Sequence, residues 1–421
     1  MPTLLTADWV LPVGGSPLRD GGVLLGADGR IAAVGPAREL ATRGARDEHH
    51  PGAALVPGLV NAHTHLELTG LGGQVEEDDF VHWLRRLIEL KRARSYADFL
   101  AAARRGLADC FASGVTTVAD CGDSGAVIEA LADGGGRGIY YHEVFGPHPE
   151  QVEASMTGLR ARVAELRRFE DAEGRVRLGV SPHAPYSVSG PLYAAAAAWA
   201  RAEGLPLAVH IAESPAERAL LADGTGGFAE MWQRRGIPLL PPCAGAARTP
   251  VAWLEAHGVL GPDALCIHVV QADAGDIGRL RAHDAPVAHC PLSNRRHGHG
   301  RAPLAALRGA GLRVGLGTDS VASVGTLDLF AEARAARALA GLDAEAALAL
   351  LTVEGARALG LADEIGTLAP GRWGDVAAIA LPAACAGPEA TGHDAIEAVL
   401  AAAPGDVRAT WVAGRPVYRA A

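Results

Sequence analysis

Residues 57–67 read PGLVNAHTHLE, an apolar run that closes on His63 and His65. In a strand, side chains two apart leave the same face. Both imidazoles therefore project together, with Cα atoms roughly 6–7 Å apart, near enough to reach one ion. Short apolar runs that end in polar side chains recur along the middle of the chain. Eight such strands are predicted, at 59–65, 115–120, 138–145, 175–183, 206–212, 264–270, 285–290 and 312–318. Between them, apolar residues at three- and four-residue spacing predict helices over 97–113, 151–170, 191–203, 214–235, 273–283, 303–310 and 327–340. Eight strands alternating with helices is the pattern of a TIM (β/α)8 barrel, whose active sites form at the C-terminal ends of the strands. Those ends carry His63 and His65, Asp120, His142 and Glu143, His183, His210, His268, His289 and Asp319, so all are expected at one mouth.

The flanks have a different texture. In residues 1–57, Asp28-Gly29 between two apolar runs is a hairpin signal. From 366 onward GRWGDVAAIAL and VRATWVAGRPVYR are strand-like, with Gly414 at a turn. Two strand-rich ends around a βα middle predict an α/β chain in two parts. Residues 1–57 together with 366–421 would form a small β-sandwich domain, and 58–365 the barrel.

Composition removes several classes. A length of 421 residues suits one large barrel with additions, and 49% hydrophobic with 20% charged residues excludes disordered and fibrous chains. The net charge of −10 comes without a basic cluster, since RRLIELKRAR at 85–94 reads as a charged helix face; nucleic acid is not an expected partner. Cys110, Cys121, Cys243, Cys266, Cys290 and Cys385 form no CxxC pair and read as reduced, buried thiols. With no basic leader and no 18-residue apolar run, a cytoplasmic protein that does not enter the membrane is expected. The glycines of DGGGRG at 133–138 precede a strand and do not open a helix, so they make no phosphate cradle.

His210 in LAVHIAES, His268 in CIHVVQ and Asp319 in VGLGTDS each close an apolar run, in order after the first pair. One histidine so placed is ordinarily a hydrogen-bonded rim group, whereas the ordered set points to a metal. With SPHAPYSVS at 181–189, HCPLSN at 289–294, GRAPLAALRGAGLRVGLGTDSVAS at 300–323 and GTLAPGRWGDVAAI at 366–379, nearly the whole chain resembles the amidohydrolase superfamily. The likeness is to its branch of cytosine-deaminase-like, S-adenosylhomocysteine-deaminase-like and triazine-chlorohydrolase-like enzymes. It implies one divalent metal, zinc first and iron second, with His63, His65, His210 and Asp319 as ligands. It also implies that His268 lies near the metal-bound water and that Glu213 is the proton shuttle. Relatives with two metals bridge them by a carboxylated lysine at the end of a middle strand. The single lysine here, Lys91, falls in a helical stretch, so one metal is expected.

Such an ion lowers the pKa of bound water toward about 7 and supplies hydroxide, so no serine or cysteine nucleophile is needed. There is no G-x-S-x-G elbow, and Cys266 and Cys290 sit inside apolar runs. Asp319 is expected to accept the water proton. Glu213 would protonate a ring nitrogen and then the departing group, given a dry pocket that raises its pKa, and His268 would stabilise the adduct. These roles fit hydrolytic deamination of an amino-substituted purine nucleoside, with release of ammonia.

His183 is expected to contact the substrate. Trp83 shares a helical stretch with Phe80, Leu84, Leu87 and Ile88, and either faces the pocket or packs. After Asn294, where deaminase relatives carry a lysine-containing segment, the chain reads SNRRHGHGRAP. There Arg295 and Arg296 are expected to take a substrate carboxylate by bidentate hydrogen bonds. That favours 6-aminodeoxyfutalosine, an intermediate of menaquinone biosynthesis, or S-adenosylhomocysteine. His297 and His299 make a second His-x-His, in a loop with no strand to aim it. The competing readings are a chlorohydrolase or cyclic amide hydrolase using the same metal, and a metal-free scaffold protein. The expected partner is a small molecule, and the assembly considered is a homodimer.

Overall fold

The computed structural model describes residues 1–40, 44–239 and 249–421. Eight parallel strands neighbour one another in chain order. They are β1 Leu59–Thr64, β2 Val115–Gly122, β3 Arg137–Val144, β4 Val176–Pro182, β5 Leu207–Ile211, β6 Ala264–His268, β7 Val287–His289 and β8 Val314–Leu316. Apart from Arg177 every residue in them is buried, as parallel strands covered by helices require.

The barrel closes where β8 runs back to β1. Thr64 bridges Asp319 in parallel, and the Asp319 N–H donates to the His63 carbonyl at 3.1 Å. Asn61 adds two bonds to Thr318, at 2.8 and 3.1 Å. Gly317 permits this approach, because a Cβ there would meet the His63 carbonyl oxygen at 2.7 Å. The seam of the barrel is therefore made by the strand ends that carry His63 and Asp319.

Three helices bear on the site: α1 Phe80–Arg92, α2 Pro215–Asp223 and α3 Pro291–Arg296. The helix predicted over 214–235 is broken. Gly224, at φ 64°, caps α2 in the left-handed region, and a separate helix begins at Gly226. The helix predicted over 151–170 leaves α geometry after Leu166 and ends in a 3-10 turn. A nine-residue helix at Ala126–Gly134 was absent from the periodicity reading.

Both chain ends enter one seven-stranded sheet. Its N-terminal strands are Thr3–Val10, Leu18–Leu25, Ile31–Pro36 and Arg46–Pro57. Its C-terminal strands are Val376–Ala380, Val407–Val412 and Arg415–Arg419. The halves join where Ala377 pairs antiparallel with Val56. Leu5, Val10, Val23, Leu55, Val376 and Trp411 share a core on one side of this sheet. It is tied to the barrel by a buried pair, Arg137 Nε donating to Asp375 Oδ2 at 2.7 Å. No described helix is long and apolar enough to cross a membrane. The five described cysteines are buried and unpaired, and Cys243 lies outside the described residues.

Candidate metal centre

His63 and His65 leave the end of β1 on one face, His210 closes β5, and Asp319 follows β8. The His65 and His210 Nε2 atoms are 3.3 Å apart, and Asp319 Oδ1 is 3.6 Å from His65 Nε2 and 3.8 Å from His63 Nε2. A tetrahedron with ligands at 2.0–2.1 Å has edges of about 3.4 Å, so these donors fit one small divalent ion. The other ring nitrogens support the fit. His65 Nδ1–H donates to the Cys121 carbonyl at 2.7 Å and His210 Nδ1–H to the His183 carbonyl at 3.3 Å, which leaves each Nε2 lone pair facing the cluster. Both nitrogens of His63 are buried without a partner. Burial holds the His63 pKa far below its usual range and pushes His65 down to about 4 and His210 to about 3, so all three rings are neutral near pH 7, the form that can bind a metal. Asp319 accepts from the Ser320 N–H at 2.7 Å and from the Ser293 hydroxyl. Asp319 and His268 both adopt left-handed backbone, φ 58° and 74°, a strain held by the closed barrel.

Glu213 stands just past β5. Its Oε1 is 3.5 Å from His268 Nε2 and 3.7 Å from His299 Nδ1. Burial first, then the charge of Asp319, holds its carboxyl well above the ordinary range. Glu217, in the first turn of α2, accepts from the N–H groups of Ala212 and Glu213 at 2.9 and 2.8 Å and so fixes that segment. On the other flank the His183 ring lies 4.7 Å from that of His210. Its Nδ1 is 2.8 Å from the Ser187 hydroxyl, and its Nε2 is 3.9 Å from Glu143 Oε1.

The remaining sequence candidates lie farther out. Trp83 is buried with Phe80, Leu87, Tyr186 and Phe228 in a second apolar cluster, its ring 4.6 Å from that of His297. Ile88, placed on that face by helical spacing, is instead 45% exposed. Arg295 and Arg296 are exposed in the last turn of α3, and Arg296 approaches Asp78 at 3.7 Å. The His-x-His pair of the loop does have something to aim it. Both rings are buried, and Phe80 of α1 packs edge-on against His299 at 4.5 Å. Glu217 and Ser293 were not singled out from the sequence. Each lies four residues from a candidate or in a conspicuous motif, but which atom it would touch depends on a turn. Lys91 Nζ donates to Glu67 and Asp123 at 3.0 and 2.8 Å, and so serves a carboxylate network rather than an ion.

Residues 54–417 match the model of the amidohydrolase family. The chain is 32% identical over 372 residues to a 5-methylthioadenosine/S-adenosylhomocysteine deaminase of Syntrophobacter fumaroxidans, covering 85% of this chain and 79% of that one. It is 32% identical over 368 residues to an aminodeoxyfutalosine deaminase of Deinococcus radiodurans, covering 85% of each. The crystal structure of an adenosine deaminase from Xanthomonas campestris with bound zinc has a TM-score of 0.84 to this fold at 27% identity, covering 98% and 92% of the two chains. With the histidine pair of β1, the ordered strand-end histidines and aspartate and a match spanning the barrel, the chain belongs to the amidohydrolase family.

Proposed function

We propose that this protein is a metal-dependent hydrolytic deaminase of an amino-substituted purine nucleoside. The observation that carries the reading is a buried carboxyl, Glu213, placed 3.5 Å from His268 at the edge of the His63, His65, His210 and Asp319 cluster, where burial favours its protonated form. A divalent cation held by those four residues, zinc before iron, would supply water activated for attack at neutral pH.

The chain's own groups handle the protons. Asp319 takes the proton lost by the attacking water, while Glu213 gives its proton to the ring nitrogen next to the amino-bearing carbon. His268 orients the incoming oxygen and stabilises the tetrahedral carbon's new hydroxyl. The proton on Asp319 then passes to the amino group, the carbon–nitrogen bond breaks, the new hydroxyl's proton restores the acid form of Glu213, and ammonia leaves an oxo-purine.

The named relatives support the substrate class, because methylthioadenosine and S-adenosylhomocysteine are adenosines altered at the 5′ position. His183 contacts the substrate beside His210. Trp83 acts through the packing of α1. Arg295 and Arg296, exposed in the last turn of α3, receive a carboxylate on the far end of the nucleoside. The direct test is zinc-loaded protein assayed with adenosine, 5′-deoxyadenosine, methylthioadenosine and S-adenosylhomocysteine for ammonia and the ultraviolet shift to hypoxanthine. Turnover of at least one is expected; silence across the panel from fully metallated protein would overturn the reading.

A further inference from the structure

We infer that Glu143 binds the sugar hydroxyls of the substrate, forming a carboxyl subsite on the flank of the candidate metal centre away from Glu213. This rests on the nucleoside reading above. Glu143 is the penultimate residue of β3 and is 7% exposed. Its Oε1 is sealed from solvent and has no hydrogen-bond partner, the His183 Nε2 at 3.9 Å being too distant. Buried polar atoms are nearly always paired, so one left unpaired beside His183 and His210 calls for a partner that arrives with the ligand.

A second metal ion is not that partner. Glu143, His183 and His210 come within 4.8 Å of one another. Yet His210 Nε2 faces His65 at 3.3 Å and its Nδ1 is committed to the His183 carbonyl. Only Glu143 and His183 remain, fewer than the three protein ligands a catalytic ion uses.

Strand order then says which part of the substrate lies there. The amino-bearing carbon must sit between the metal cluster and Glu213, over β5 and β6. Glu143 stands on β3, two strands from the Glu213 side, and neighbouring strands are about 4.8 Å apart. Glu143 reaches in from that side until one of its oxygens lies within 4.8 Å of a ring nitrogen of His210, so it meets the side of the purine away from the nitrogen that Glu213 protonates, the side that bears the sugar. A carboxyl side chain offers two adjacent oxygens, which matches the two hydroxyls of a vicinal 2′,3′-diol. Methylthioadenosine and S-adenosylhomocysteine, named for a relative, differ at the 5′ position and keep that diol.

The test compares kcat/KM for adenosine and 2′,3′-dideoxyadenosine in the parent, Glu143→Gln and Glu143→Ala, with metal content measured in each. The parent should prefer adenosine by at least about a hundred-fold, since a site built to bind hydroxyls rejects an analogue lacking them. Both variants should shrink that ratio at least ten-fold, the loss falling on adenosine, with metal content unchanged. Equal losses on both nucleosides, or loss of metal on substitution, would overturn the proposal. The parent's ratio needs no variant, so a substitution that fails to fold leaves the test intact. A parent that deaminates both nucleosides equally sinks the subsite while upholding the deaminase.

Discussion

Glu213 and Glu143 are two buried carboxyls with different neighbours, and the neighbours set their work. Glu213 shares its Oε1 with the approach of two neutral imidazoles. Replacing it with Gln keeps the shape and removes the transferable proton. Glu213→Gln should lower kcat by about 10²–10⁴ while metal content and Tm hold, and a variant that turns over at the parent rate would remove Glu213 from the chemistry. At the rim the expectation concerns binding alone. Replacing Arg295 and Arg296 together with Met should raise KM for S-adenosylhomocysteine about ten-fold and leave KM for adenosine nearly unchanged, because an exposed charge acts only on the charged substrate. Equal shifts in both constants would assign the arginines to the surface. The histidines and Asp319 were legible in the sequence because a strand has period two and ends abruptly. The contacts of His299 were not, since Gly298 and Gly300 both have positive φ and leave the ring's direction to packing against Phe80.

At the level of elements, the junction of β5 with α2 holds Glu213 in place. Glu217 is fully buried there, and burial pushes its carboxyl up from 4.5 to about 7 against three backbone N–H groups that favour the charge. A carboxyl whose pKa is raised by folding holds its proton in the native chain after the unfolded chain has lost it. Its stabilisation is complete below about pH 4.5 and is lost as pH rises to about 7, an effect of about 3 kcal/mol at most. Urea unfolding at pH 5 and pH 8 should therefore show the parent losing stability relative to Glu217→Gln as pH rises. A gap that stays constant would mean that Glu217 does not titrate in that window. The broken helix at Gly224 shows the limit of periodicity, because the apolar spacing continues through a glycine that the backbone uses to stop.

Across the whole molecule, the barrel and the sheet of the chain ends are joined by a charge pair with no access to water. Arg137 and Asp375 are each about 2% exposed, and Asp375 also accepts the Ala413 N–H at 2.8 Å. Asp375→Ala strands a buried guanidinium and should cost about 3–5 kcal/mol, read as a lowered urea midpoint. A midpoint within 0.5 kcal/mol of the parent, on the order of a neutral surface change, would show that the pair does not couple the two parts.

The number of strands, their order and the polar residues at their ends were fixed by local chemistry. Alternating apolar runs and helical spacings leave little else to build, and a side chain at the end of a buried parallel strand has only the mouth to face. What waited for the tertiary structure were relations between strands distant in sequence. Closure through Gly317 and Asn61 brings Asp319 to His63 across more than 250 residues, and α1 folds over a histidine loop that periodicity could not orient. Period and polarity report one element at a time, whereas a metal centre and the unpaired oxygen of Glu143 exist only between elements.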